Sequence, residues 1–259
     1  MLDVWLTWSP PALTGWLCER ERARSRRFVR ESLRARFIGA HAFKRCVMSD
    51  YVPAVEPSAW RYAEGVYGKP EATAPFPYRF NLSHCGAAVA VAIASGEVGV
   101  DIECHRPVAM AATLAERVFH RGERQWLARQ ASFDAAFFRL WTLKEALLKA
   151  AGMGFRFPPE QVGWQALDAP LAHVCFHGRR WAGIGHRLEG ATLAVVVPYE
   201  EGTAGARLLQ TRMRVPAAGA GDLPACARLA AVAAPVGIGG GVGGRIGDTS
   251  GFLNQEHPA

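Results

Sequence analysis

The chain has 259 residues, half of them apolar and a fifth charged, with a net charge of +7. That length allows one large domain or two small ones with a sizeable core, and the composition excludes a disordered or fibrous chain. No apolar run approaches the roughly 20 residues of a membrane span, and the cation excess favours an anionic partner: nucleic acid, a phosphate-bearing ligand or an acidic protein.

The N-terminus, Met1-Leu-Asp-Val-Trp, places Asp3 where a secretory leader carries a basic region, and Pro10-Pro11 interrupts the apolar stretch. A cytoplasmic location is expected. Val4 to Trp8 reads as a short strand. The segment from Glu19 to Arg36 holds eight arginines and three glutamates. Phe28, Leu33, Phe37 and Ile38 give it a partial apolar stripe, which predicts a helix broken near Glu31-Ser32. Ala40 to Tyr51 continues as helix, with Phe43, Val47 and Tyr51 at four-residue spacing, until Pro53 and Pro57 end it. Gly65 to Pro77 reads as loop, with Gly68-Lys69-Pro70 inside it.

Phe80-Asn-Leu-Ser-His reads as a short strand. Ala87 to Ala94 (AAVAVAIA) is expected to be a buried strand, and Ser95-Gly96 predicts a hairpin to Gly99-Val-Asp-Ile-Glu. Helices are expected over Thr113–Phe119, Gly122–Arg129 and, most strongly, Phe133–Ala151, which Gly152 closes. Gly163–Ala166, His173–Phe176 and Thr192–Val197 read as strands. From Gly202 onward, Gly and Ala supply 24 of the last 58 residues and Phe252 is the only aromatic. This tail has few large apolar groups to offset ordering entropy, so it is expected to lie outside the fold, apart from a short helix over Leu223–Ala234. Each half runs helix then strands, which suggests a structural duplication. The six cysteines show no CxxC pair and are expected to be reduced and mostly buried thiols.

Five features carry chemistry. In Gly99-Val-Asp101-Ile-Glu103 the two acids share one face of a strand. They are either solvated or the hard oxygen ligands of Mg²⁺ or Mn²⁺. In Trp141-Thr-Leu-Lys144-Glu145-Ala-Leu-Leu-Lys149, one helix side carries Trp141, Glu145, Leu148 and Lys149. Glu145 offers a third carboxylate with Lys144 and Lys149 beside it, or only an ordinary Glu–Lys helix pair. In Asn81-Leu-Ser83-His84 the serine and histidine point to opposite faces, which argues against a nucleophile–base pair and leaves a phosphate contact or a structural histidine. Lys69 is a cation on a stiff loop or a solvated lysine. The arginine run is a solvated face or an anion patch. The Walker pattern is absent, Gly152-Met-Gly154 is too short for a dinucleotide fingerprint, and His173-Val-Cys175-Phe-His177 lacks the carboxylate a zinc site would add.

In order and spacing, GKP, FNLSH, GVDIE and WTLKEALLKAAGMG resemble the signature set of 4′-phosphopantetheinyl transferases, and the wide spacing resembles their long, Sfp-type branch. The resemblance covers about Arg20 to Val197. It implies an α+β fold of two similar lobes in pseudo-twofold arrangement, residues 1–98 and 99–201, with the active site in the cleft between them and residues 202–259 as a flexible tail. It implies a monomeric enzyme that moves phosphopantetheine from coenzyme A to a serine of an acidic acyl or peptidyl carrier protein and releases adenosine 3′,5′-bisphosphate. Carried over by position, Asp101, Glu103 and Glu145 would hold Mg²⁺, with Mn²⁺ as substitute. Glu145 and Lys149 would be catalytic. Arg24, Arg36, Lys69, Ser83, His84, Lys144 and Lys149 would bind coenzyme A. The family often has a basic residue three before Arg24, where this chain has Glu21. The carrier is expected to dock near Met153, Phe155 and Arg156. A different metal-dependent phosphoryl transferase, or an arginine-rich nucleic-acid-binding protein, would share some of these features. A nucleic-acid binder would interleave exposed aromatics with the arginines, whereas Phe28 and Phe37 fall on the apolar stripe, so neither a nucleic-acid nor a membrane partner is expected.

Overall fold

The computed structural model describes residues 1–65, 68–73, 76–108, 110–154 and 157–199, together with the backbone of 212–214. Its first sheet has the order β10-β1-β5-β4, with β1 Leu2–Thr7, β4 Arg79–Cys85, β5 Ala88–Ala94 and β10 Arg212–Arg214. Its second has the order β6-β9-β8-β7, with β6 Gly99–Cys104, β7 Leu171–Phe176, β8 Arg179–Leu188 and β9 Ala191–Pro198. Helices α1 (Glu19–Arg26) and α2 (Glu31–Tyr51) belong to the first half, and α3 (Ala111–Val118), α4 (Arg121–Leu127) and α5 (Phe133–Ala150) to the second. The fold is α+β, as expected.

Side-chain alternation explains the layering. Along β5 the Val89, Val91 and Ile93 side chains pack with Phe43, Val47 and Met48 of α2. The intervening alanines Ala88, Ala90 and Ala92 face the other way, into a core shared with Leu193, Val195 and Ile102 of the second sheet. Ala194 and Val196 of β9 turn outward to Leu140, Leu143 and Leu147 of α5. The order is therefore helix, sheet, sheet, helix. Central strands are buried on both faces, so they lose the polar–apolar alternation that usually marks a strand. The small β5 alanines let the sheets approach closely. The two halves share one of their main cores and are not separately packed bodies.

The expected hairpin between AAVAVAIA and GVDIE does not form. The turn at Gly86, in left-handed conformation at φ +59°, joins β4 to β5, while β6 pairs antiparallel with β9. Ser95 to Val98 instead carries the chain from one sheet to the other. Strand β6 still lies beside β4, but side chains make the link. Asn81 Oδ1 accepts from the Val100 amide at 2.8 Å and Ser83 Oγ accepts from the Ile102 amide at 3.2 Å.

Other expectations need adjustment. The basic segment breaks at Arg27–Arg30, between α1 and α2. The GKP loop holds a short hairpin, β2 (Tyr62–Glu64) with β3 (Pro70–Ala72). Gly163–Ala166 contributes only one bridge, Gln165 to His173. Strand β8 escapes sequence pattern because Gly183, Gly185 and its arginines obscure its alternation. Within the tail, Arg212–Arg214 pair in parallel with Asp3–Trp5, so the segment from Gly202 is not wholly outside the fold. The Leu223–Ala234 expectation lies outside the described residues. Among the described residues no helix is long and apolar enough to cross a membrane.

Candidate active site

Strand β6 and helix α5 meet at unusually short range. A Cβ on Gly99 would lie 1.9 Å from the Ala146 carbonyl oxygen and 2.6 Å from the Ala150 amide nitrogen. Only glycine permits this contact. The helix is fixed at both ends. The Ser132 hydroxyl accepts from the Ala135 amide. At the other end Gly152 (φ +74°) closes a Schellman turn, with the Gly152 amide bonded to Lys149 O and the Met153 amide to Leu148 O. Strand and helix together set where the acids of β6 and α5 stand.

Asp101, Glu103 and Glu145 are all buried. Lys149 Nζ donates to Asp101 Oδ1 at 2.6 Å and to Ser83 Oγ at 3.0 Å, and Ser83 donates to the same Asp101 oxygen at 2.8 Å. Glu103 accepts from Trp141 Nε1 and from Arg106, each at 3.2 Å. Burial pushes the Glu145 carboxyl up to about 8, with the Asp101 charge adding to the effect, Lys149 opposing it and Glu103 adding again. Glu103 is raised by burial and Asp101, against the pull of Arg106 and Trp141. Burial works against the Lys149 charge, but Asp101, Glu145 and Glu103 outweigh it and hold that ammonium above its ordinary value. Three carboxylates thus share one interior cation.

A divalent ion is a natural complement to such an imbalance. Asp101 Oδ2 is buried with no hydrogen-bond partner, and an orphaned carboxylate oxygen at this depth is costly. Among the described residues, however, no three His, Cys, Asp or Glu side chains already stand at metal-enclosing spacing. The donor chemistry fits a hard cation through Asp101, Glu103 and Glu145, with Lys149 as the present counter-charge of Asp101.

The remaining expected site residues divide. His84 is exposed at the end of β4, beside the buried Ser83. Desolvation lowers its pKa to about 4, and the charges of Lys149, Arg36 and Arg24 push the same way, partly offset by Asp101. Arg24 and Arg36, both exposed, therefore come within electrostatic range of His84. Ser83 has its hydroxyl hydrogen and both acceptor positions engaged, by Asp101, Lys149 and the Ile102 amide, so it positions Asp101 and is not free for a phosphate. Lys69 donates to the carbonyls of Ala150 and Val98 at 3.0 and 3.2 Å and so caps the C-terminal end of α5. Burial lowers its pKa to about 8.

Lys144 is a correction. It is 3% exposed and faces away from the cluster. It pairs with Glu123 at 2.8 Å and donates to the carbonyls of Pro159 and Val162. One residue along a helix is a rotation of about 100°, so Lys144 and Glu145 serve different sides. Glu21 has a similar explanation. It is buried and accepts from Lys44 at 2.9 Å, Arg45 at 2.7 Å and His41 at 2.8 Å. It pins α1 to α2 and presents no charge to a ligand. Its partners, all on one turn of α2, are residues the sequence reading missed. So are Arg106, three residues beyond Glu103, and Glu123, in the first turn of α4. Of the expected carrier-docking residues, Phe155 and Arg156 lie outside the described residues.

Comparison with known proteins points the same way. The profile of the 4′-phosphopantetheinyl transferase superfamily matches residues 97–194. The 4′-phosphopantetheinyl transferase gsp of Aneurinibacillus migulanus is 39% identical over 99 residues, 38% of this chain and 40% of that one. AcpT of Escherichia coli K12 is 41% identical over 144 residues, 52% of this chain and 64% of that one. Sfp of Bacillus subtilis is 27% identical over 168 residues, 61% of this chain and 74% of that one. The chain thus spans less than half of gsp and under two thirds of AcpT. The matched segment runs from just before β6 into β9 and contains Asp101, Glu103, Glu145 and Lys149, so residues 97–194 are similar to the 4′-phosphopantetheinyl transferase superfamily over the part of the chain that carries these four side chains.

Proposed function

We propose that this protein transfers the 4′-phosphopantetheine group of coenzyme A to a serine of an apo carrier protein, with release of adenosine 3′,5′-bisphosphate. The observation that carries this reading is the convergence of Asp101, Glu103, Glu145 and Lys149 inside the matched segment, with the cations Arg24 and Arg36 within electrostatic range of His84. Mg²⁺ held by the three carboxylates would neutralise charge on the pyrophosphate oxygens.

The protein's own groups do the rest. The Arg24 and Arg36 guanidiniums bind the phosphates of the nucleotide end, with His84 beside them. Lys149 Nζ, fixed by Asp101 and Ser83, offers charge to the phosphoanhydride where negative charge builds during displacement. Glu145 takes the proton of the attacking serine hydroxyl. Trp141 and Arg106 hold Glu103 in place.

The direct test is incubation of the protein with an apo carrier protein, coenzyme A and Mg²⁺, followed by mass measurement of the carrier. The expected result is a gain of one phosphopantetheine group on the carrier serine, abolished by a chelator. An unmodified carrier across acyl and peptidyl types would overturn the proposal.

A further inference from the structure

The side-chain seam between β4 and β6 has one more rung. Asn81 meets Val100 and Ser83 meets Ile102, each 19 residues apart, and at the same offset Cys85 meets Cys104. Cys104 Sγ donates to the Cys85 carbonyl oxygen at 2.9 Å. A Cβ on the neighbouring Gly86 would lie 3.4 Å from the same Cys104 sulfur. Both are free and only partly buried. Cys85 Sγ lies 3.6 Å from Glu103 Oε2 and 3.8 Å from the Arg106 guanidinium. The transferase reading gives neither cysteine a task.

We propose that Cys85 and Cys104 form a reversible disulfide under peroxide, a modification site at the mouth of the carboxylate cluster. One sulfur attacks a peroxide oxygen to give a sulfenic acid and one water. The second sulfur then displaces the hydroxyl as a second water, so two thiols and one hydrogen peroxide yield one disulfide and two waters. The Cys104 sulfur already lies against the Cys85 backbone where β4 and β6 run side by side, so closure demands little backbone movement. The bridge removes the Cys85 S–H donor from Glu103 and ties the two sheets covalently beside that ligand. Its functional effect rests on the transferase reading: oxidation lowers carrier modification severalfold, and a thiol reductant restores it.

The test uses the full chain treated with hydrogen peroxide and digested with trypsin. Residues 80–117 form one tryptic peptide, because Arg106 precedes a proline, and Cys85 and Cys104 are its only cysteines. The expected product is this peptide lighter by two hydrogens, with its halves still joined after cleavage at Glu97 and separated by reductant. Oxygen gained on either cysteine without a bridge, or a bridge to another cysteine, overturns the proposal. Cys104→Ser should retain its turnover under peroxide while the unmodified sequence loses it. A wild type that forms the bridge with unchanged turnover overturns the regulatory effect. The peptide readout does not depend on carrier modification, so failure of the transferase reading is seen separately, as inactivity of the reduced protein.

Discussion

The two sides of α5 carry the same residue types to opposite ends. On the inner side Glu123 and Lys144 are both buried and fully engaged. Glu123 also accepts from the amides of His120 and Trp164 at 2.8 and 2.9 Å, and Lys144 donates to two carbonyls besides. On the side facing β6, three carboxylates share one buried ammonium and the exposed Arg106, an acid oxygen has no partner, and Glu145 is pushed towards neutrality. The balanced side is an internal brace that links α4, α5 and the loop after α5. The unbalanced side is strained as it stands, and a bound cation would relieve it. The same contrast recurs in the first half, where the single carboxylate of Glu21 meets Lys44, Arg45 and His41.

The largest expected effect is on activity at the unbalanced side. Asp101→Ala, Glu103→Ala and Glu145→Ala should each lower carrier modification at least about a hundredfold. The melting temperature of Glu145→Ala should stay near or above the parent value, because its removal lessens repulsion, whereas Asp101→Ala also breaks the ion pair with Lys149 and should melt lower. Normal turnover for any two in excess Mg²⁺ would erase the distinction between the sides.

At the balanced side the loss should be of fold. Lys144→Met leaves Glu123 as an unpaired buried acid, at a cost of about 3–5 kcal/mol. Thermal denaturation and soluble yield report it, and Lys149→Met should lose turnover with a clearly smaller change in melting. If the two lysine variants melt alike, Lys144 is not the brace described.

A third difference should appear with pH. The Glu145 carboxyl is raised from an ordinary 4.5 to about 8 in the folded chain. The folded state therefore binds the extra proton, and stability falls as pH rises from about 4.5 towards about 8. In chelator-treated protein, Glu145→Gln should raise the melting temperature, more at pH 8 than at pH 5. Melts at the two pH values check the sign, and an equal gain at both would mean that Glu145 ionises freely.

The smallest effects belong to the exposed cations. Arg24→Ala and Arg36→Ala should raise the KM for coenzyme A several-fold, with kcat and melting little changed, since exposed charges add little to stability. Steady-state kinetics at two ionic strengths would separate them from Lys149, whose loss should fall mainly on kcat.

Much of this was legible in sequence because local rules sufficed. The period of two placed Asp101 and Glu103 on one face, and the helical period put Trp141, Glu145 and Lys149 together. Opposed side chains in β4 separated Ser83 from His84. Tertiary pairing was not legible. Nothing local says that β6 leaves β5 for β9, or that Gly99 sits against Ala146. Lys144 and Glu145 look alike as neighbours until the partner of each is known, and Glu123 is 21 residues from Lys144 in the chain. Glu21 looked like a departure from a basic motif because Lys44 and Arg45 were read only as part of a helix.

The seam between β4 and β6 also sets how the two sheets can separate. The Val100 and Ile102 amides bond to side chains of the other sheet, whereas the Asp101 and Glu103 amides alternate towards β9. Undocking of the sheets would expose the first pair to solvent while leaving each sheet's own ladder whole. Deuterium uptake at Val100 and Ile102 therefore reports parting of the halves, and uptake at Asp101 and Glu103 reports fraying within the second sheet. Adjacent residues of one short strand thus serve as separate gauges of two distinct openings.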